Sequence, residues 1–175
     1  EDGPLYHVIR NKNVDVDKQI TAAETASLRQ PGKLPVLINY LKDKDPVVQY
    51  WGASGICGLA RIGGIKQLPA SAADLVTSET VIPEVKCMLA EAMVYTGAES
   101  KGLAYLYEQL SSGFGPAAAA LQNVGAKAKP LTADLQKLLT AKTKNRHRFY
   151  IRSILINCDA LPYSALYDPS EKVAD

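Results

Sequence analysis

A step of 37 residues constrains this chain more than any other feature of its sequence. It lays Pro46 on Pro83, Val48 on Val85, Gln49 on Lys86, Ala53 on Ala90, Gly55 on Ala92, Ile56 on Met93 and Ala60 on Gly97. The segment before it recurs as well. Leu34, Leu37 and Leu41 match Leu103, Leu106 and Leu110, and Leu131, Leu135 and Leu138 give a looser third copy. A period in the high thirties with two helices per unit predicts an α-solenoid, in which no pair buries its apolar face alone and each leans on its neighbours. The fold class read from the residues is therefore all-α, with about four helix pairs.

The stretch Asp45–Ala60 holds the centre of that pattern. Asp45 is placed to cap a free amide of the first turn, and Pro46 falls at the first helical position, where a missing N–H costs nothing. Val48, Trp51 or Gly52, Gly55, Ile56 and Leu59 then follow at three- and four-residue steps. Gly52, Gly55 and Gly58 each cost a helix about 0.5–1 kcal/mol relative to alanine. Their presence predicts that neighbouring helices approach closely along that side, and that Ile56 lies in the core.

Helices are expected on either side of this stretch. The first begins at Asp17, with Ile20, Ala23 or Glu24, and Leu28 as its apolar side, and stops at Pro31-Gly32. Leu34 to Lys42 follows, then, beyond Gly63-Gly64, a short helix near Leu68 to Val76 and a longer one from Pro83 to Tyr95. Lys101 to Leu110 pairs with Pro116 to Val124, whose Ala117-Ala118-Ala119-Ala120 run predicts close packing. Leu131 to Leu139 pairs with a basic helix near Arg146 to Cys158. Residues 1–16 read as a turn-rich lead-in with a short helix near Tyr6 to Arg10, 17–158 as the repeat domain, and 159–175 as an irregular tail. The helices near 46–60, 83–96, 116–124 and 146–158 are expected to line one side of the stack.

At 175 residues the chain can bury a continuous core without staples. No apolar run approaches the ~20 residues of a membrane helix, so no membrane partner is expected. A net charge of +2 is too small to imply nucleic acid by itself, and Glu84 and Glu91 stand beside Lys86 on the central helices, where such a partner needs a basic face. Cys57, Cys87 and Cys158 form no C-x-x-C pair and read as core packing. Glu1 in place of a methionine, with no leader behind it, reads as a fragment of a longer product.

Reactive constellations are not apparent. His7 and His147 are the only histidines and neither has a partner at metal-ligand spacing, so no metal and no cofactor are expected. Gly52-Ala53-Ser54-Gly55 lacks the spacing and setting of a nucleophile elbow. Two groups remain as candidate ligand or partner surfaces. Arg146, Arg148 and Arg152, among Lys142, Lys144, His147, Phe149 and Tyr150, offer guanidinium forks suited to sulfate, phosphate or carboxylate. The bland alternative is a solvated last helix that keeps a solenoid end soluble. On the central helix, Gln49 and Tyr50 stand beside Trp51, itself read as a packing anchor.

The run Leu34 to Ala53, with its Asp45-Pro46 start and aromatic Tyr50-Trp51, resembles a HEAT-type repeat. With Ala26 to Leu34 ahead of it, the chain is similar to the HEAT-like region that follows the catalytic domain in some bacterial sulfatases of the heparan N-sulfatase-like group. That resemblance implies a right-handed superhelix of antiparallel helix pairs. It implies an accessory domain, joined to a catalytic domain or presenting a surface to a protein partner, in an exported enzyme of the periplasm or cell surface. Sulfated glycan contacting the basic helix would fit the same setting. The sulfatase nucleophile motif C/S-x-P-S-R is absent, as are that family's Asp/Asn/His metal ligands, so this chain is not expected to be an enzyme. A free-standing HEAT scaffold for a protein partner is the alternative, and a nucleic-acid binder resembling HEAT-like DNA glycosylases is disfavoured by the acids noted above.

Overall fold

The computed structural model describes residues 15–140 and 147–167, all helix and connecting turn. The expected lead-in up to Val14, together with Lys142, Lys144 and Arg146 and the tail beyond Tyr167, lies outside the described residues. Two compact units follow one another, divided in sequence between Gly102 and Leu103.

The first unit holds α1 (Val16–Ser27), α2 (Leu34–Tyr40), α3 (Pro46–Arg61), the one-turn α4 (Ala70–Ala73), α5 (Pro83–Tyr95) and the start of α6 (Glu99–Ser111). Helix α3 is its hub and packs against α1, α2 and α5. Asp45 caps it as expected, its Oδ1 accepting from the Val47 amide at 2.8 Å while Oδ2 accepts from Gln19 Nε2 of α1 at 2.8 Å. Asp43 in the same turn accepts from the Asp45 amide and pairs with Lys18 of α1 at 2.5 Å. One short acidic turn thus starts α3 and ties it to α1.

Helices α3, α5 and α6 each end at a glycine with positive φ. After α3, the Gly63 amide donates to Ala60 O and the Gly64 amide to Leu59 O, with Gly63 at φ +72°. This pair of hydrogen bonds satisfies two of the last carbonyls and needs a left-handed residue. Gly113 at φ +88° closes α6 in the same way, and Gly97 at φ +90° closes α5 with the Ala98 amide donating to Met93 O.

Close packing explains two of the three α3 glycines. A Cβ on Gly52 would stand 2.8 Å from the Leu37 carbonyl and 2.9 Å from Tyr40 Cβ, and one on Gly55 would stand 3.0 Å from Ala26 Cα. Gly58 departs from the expectation, because its outer side meets only the Arg29 side chain, at 3.6–3.9 Å. The face of α1 is also corrected. Its buried residues are Ala22 and Ala26, whereas Ile20 and Leu28 are each 51% exposed. The reason is steric: a helix that comes within backbone contact of Gly55 can only present alanine there.

The second unit holds the rest of α6, then α7 (Gly115–Val124), a 3-10 stretch (Gly125–Leu131), α8 (Thr132–Thr140), α9 (Arg148–Asn157) and a 3-10 turn (Tyr163–Leu166). Ala117, Ala118 and Ala120 are buried, as the alanine run predicts. Helix α9 is the hub here, packing against α7, α8 and both 3-10 segments. Ile151, Ile154 and Leu155 are fully buried. A solvated end helix, the bland expectation for this basic segment, is therefore corrected: its apolar stripe holds the unit together.

Candidate functional site

Gln49 and Tyr50 belong to the first unit, Arg148 and Arg152 to the second. Gln49 is buried in the first unit, and its Nε2 donates to the carbonyls of Asp43 at 2.8 Å and Thr80 at 3.3 Å. An amide nitrogen aimed at two loop carbonyls satisfies the backbone of both loops, as buried polar groups must be. Tyr50 is half-buried, edge-on to Trp51 with ring centroids 5.4 Å apart. This arrangement serves packing between aromatic neighbours.

A polar cluster that sequence reasoning missed lies between α3 and α5. The Arg61 guanidinium donates to the Glu91 carboxylate in a short contact. Glu91 is only 3% exposed and Arg61 about half exposed. Burial, then the charge of Glu91, pushes up the thiol of Cys57 and the phenol of Tyr95. Burial alone would lower Arg61, yet the adjacent carboxylate outweighs it and holds the guanidinium charged. A thiol shifted upward is a poor nucleophile. The cluster is an ion pair binding α3 to α5, and the one signal for it was an acid among the apolar residues Leu89, Ala90, Ala92 and Met93.

Arg148 and Arg152 do come together. One turn apart on α9, they share one helix face and line a single cavity of about 410 Å³ in the second unit. Thr140 and Ser164 add hydroxyls to the lining, and Leu139, Leu161 and Ala165 give apolar wall. Thr140 Oγ1 donates to backbone carbonyls of its own helix. Tyr167 sits at the edge of the cavity, its ring 5.8 Å from that of Phe149, and both rings are exposed. The expectation of exposed arginines is corrected for Arg152, which is only 6% exposed, while Arg148 is half-buried. Packing of Ile151, Ile154 and Leu155 rotates the arginine face toward α8 and the following 3-10 turn, away from open solvent.

His147 closes the N-terminal end of α9, its Nε2 donating to Gly113 O at 2.8 Å. A second hollow, of about 310 Å³, lies in the first unit beside Lys66, Met93 and Thr96, but the Thr96 hydroxyl is spent on Ala92 O. Among the described residues, no three His, Cys, Asp or Glu side chains gather to hold a metal. No helix among them is long and apolar enough to cross a membrane. Comparison with known protein families, curated proteins and solved structures finds no match to this chain.

Proposed function

We propose that this chain is a non-catalytic, HEAT-like accessory domain that packs on a catalytic domain of a larger protein, a sulfatase by the resemblance of residues 20–60. One observation carries the repeat reading: in each unit the second helix of one pair packs on the second helix of the next, α3 on α5 and α7 on α9. That layering is what stacked helix pairs of a solenoid require. The buried chemistry is spent on the stack, with Gln49 on loop carbonyls and Glu91 on Arg61.

A second observation favours a linked domain over a free-standing scaffold. Val16, Ile20 and Leu28 on and just beyond α1 are 54%, 51% and 51% exposed, spaced along the outer side of the first described helix. A free solenoid end normally carries a polar face there. Here three apolar side chains stand exposed among Asp17, Lys18, Thr21, Glu24 and Ser27, and they are contact points for a preceding domain.

The reading frame that encodes the chain, taken with the activity of its product, tests this. A C/S-x-P-S-R motif upstream in the same polypeptide, with no metal-dependent turnover of a sulfate ester by the chain alone, is the expected result. A frame without that motif removes the sulfatase parent and leaves the scaffold. Turnover by the chain alone overturns the non-catalytic reading.

A further inference from the structure

Helix α1 ends differently from α3 and α5. Gly63 and Gly97 take the left-handed position that closes those two helices, but the same position after α1 is held by Arg29, at φ +48°. Glycine adopts that backbone freely and aspartate tolerates it, as Asp159 does after α9 at φ +60°, whereas a long side chain is strained there. Strain kept in a backbone points to a use for the side chain that bears it.

The Arg29 side chain is set in place. Its Nε, Cγ and Cδ lie 3.6–3.9 Å from the point that a Cβ on Gly58 would occupy, so its stem is laid against α3. The residue is exposed, and its guanidinium makes no hydrogen bond or ion pair among the described residues. The surface around it is apolar and basic. Leu28 precedes it, 51% exposed, and Ile62 stands one turn beyond Gly58, its amide donating to Gly58 O at 3.2 Å and its side chain 55% exposed. Lys66 Nζ lies 3.7 Å from the Cβ position of the adjoining Gly63, also exposed and also without a partner among the described residues. Residues 25–42 and 46–73, which supply this edge, contain no acid. Glu24, one turn before Leu28, forms no ion pair with Arg29, and Glu91 is spent on Arg61.

We propose that this edge, Arg29 with Leu28, Ile62 and Lys66, is a docking surface for an acidic segment of a protein partner that carries apolar side chains among its carboxylates. The guanidinium fork matches a carboxylate, and Leu28 and Ile62 take the apolar side chains. A fork already laid against a helix loses less freedom on binding than one loose in solvent. The surface goes beyond the accessory role, because it serves a domain of the same polypeptide and a separate protein alike. The reading frame decides only that linkage, and the following test decides only the surface.

A phage-displayed library of random linear peptides is selected on the full chain, and the most enriched sequence is synthesised with a fluorescein label and titrated by anisotropy. The expected peptides are rich in Asp and Glu together with Leu, Ile, Val or Phe, and bind saturably. Arg29→Gly should weaken the labelled peptide at least tenfold while raising the urea midpoint of the first unit, since glycine relieves the left-handed backbone. A residue kept only for structure would not move the two readouts in opposite directions. Ile62→Ser, at an exposed position, should also weaken binding. Absence of any enriched sequence, or enrichment without an acidic excess, overturns the proposal. Peptide binding unchanged in Arg29→Gly places the contact elsewhere, and a lowered urea midpoint in that variant removes the argument from strain. Tighter, Arg29-dependent binding of phosphatidylserine vesicles or of a single-stranded oligonucleotide assigns the edge to a membrane or a nucleic acid instead.

Discussion

Replacing Gly52 with alanine should destabilise the first unit, and replacing Gly58 should stabilise it, although both lie in the same helix. Each substitution gains about 0.5–1 kcal/mol of helix propensity. At Gly58 the new methyl meets only the Arg29 side chain at ordinary contact distance, so the gain survives. At Gly52 it would stand 2.8 Å from the Leu37 carbonyl and 3.3 Å from the Leu41 amide nitrogen, which are backbone atoms of α2 and its C-terminal end. Helix α2 cannot simply retreat, because Leu37 and Leu41 are themselves 1% and 2% exposed in the core. Overpacking of this type costs about 1–3 kcal/mol, and since the propensity gain is common to both variants, that figure is also the gap between them. With a urea dependence near 2 kcal/mol per molar, the midpoints should separate by on the order of 1 M. Urea titrations followed by far-UV circular dichroism and by the fluorescence of Trp51, the one tryptophan, read this directly. Equal midpoints for the two variants would refute the claim that α2 and α3 meet at backbone distance.

Ile56→Asp should abolish the cooperative transition of the first unit, because Ile56 is fully buried and an unpaired carboxylate there has no partner; an unchanged melting temperature refutes its place in the core. Cys57 and Cys87 should resist a thiol-disulfide reagent at pH 8 in the native protein and react once it is unfolded, since burial pushes the Cys87 thiol up to about 12 and Cys57 further still. Reaction of either within the mixing time would contradict that burial. Asp43 should contribute an acid-sensitive share of stability. Burial raises its carboxyl, but the Lys18 bond and the Asp45 amide outweigh this and leave it lowered in the folded state. Its contribution is thus full above the unfolded value of about 4 and lost as pH falls below it, so Asp43→Asn should flatten the fall in urea midpoint between about pH 4 and pH 2; an unaltered slope counts against the pair.

Local signals carried most of the element boundaries. Asp45-Pro46 and Gly63 are read within four residues of where they act, and the helix they bracket runs from Pro46 to Arg61 as their chemistry requires. Faces were harder to read, because a face is decided by what approaches it. Ile20 and Leu28 are more apolar than Ala22 and Ala26, yet only the alanines fit against a glycine of α3. The charges of α9 likewise concealed that Ile151, Ile154 and Leu155 make it the hub of its unit. Arg148 and Arg152 were legible as a pair, but the cavity they share depends on Leu161, Ser164 and Tyr167, which follow the helix after an irregular turn and give no periodic signal. Glu91 was read as a surface acid, because Arg61, which neutralises it, lies 30 residues away in sequence.

The glycines of α3 also bear on the order in which the first unit acquires structure. A sixteen-residue helix carrying three of them forgoes about 1.5–3 kcal/mol of intrinsic helicity, enough to keep it unwound as an isolated segment. What restores it is the docking of α1 and α2, which Gly52 and Gly55 make possible by letting backbones touch. The hub is therefore poorly able to form before its neighbours dock, despite being the longest helix of the unit. Its backbone amides should open to exchange only together with those of α1 and α2, which makes these three helices one cooperative folding unit.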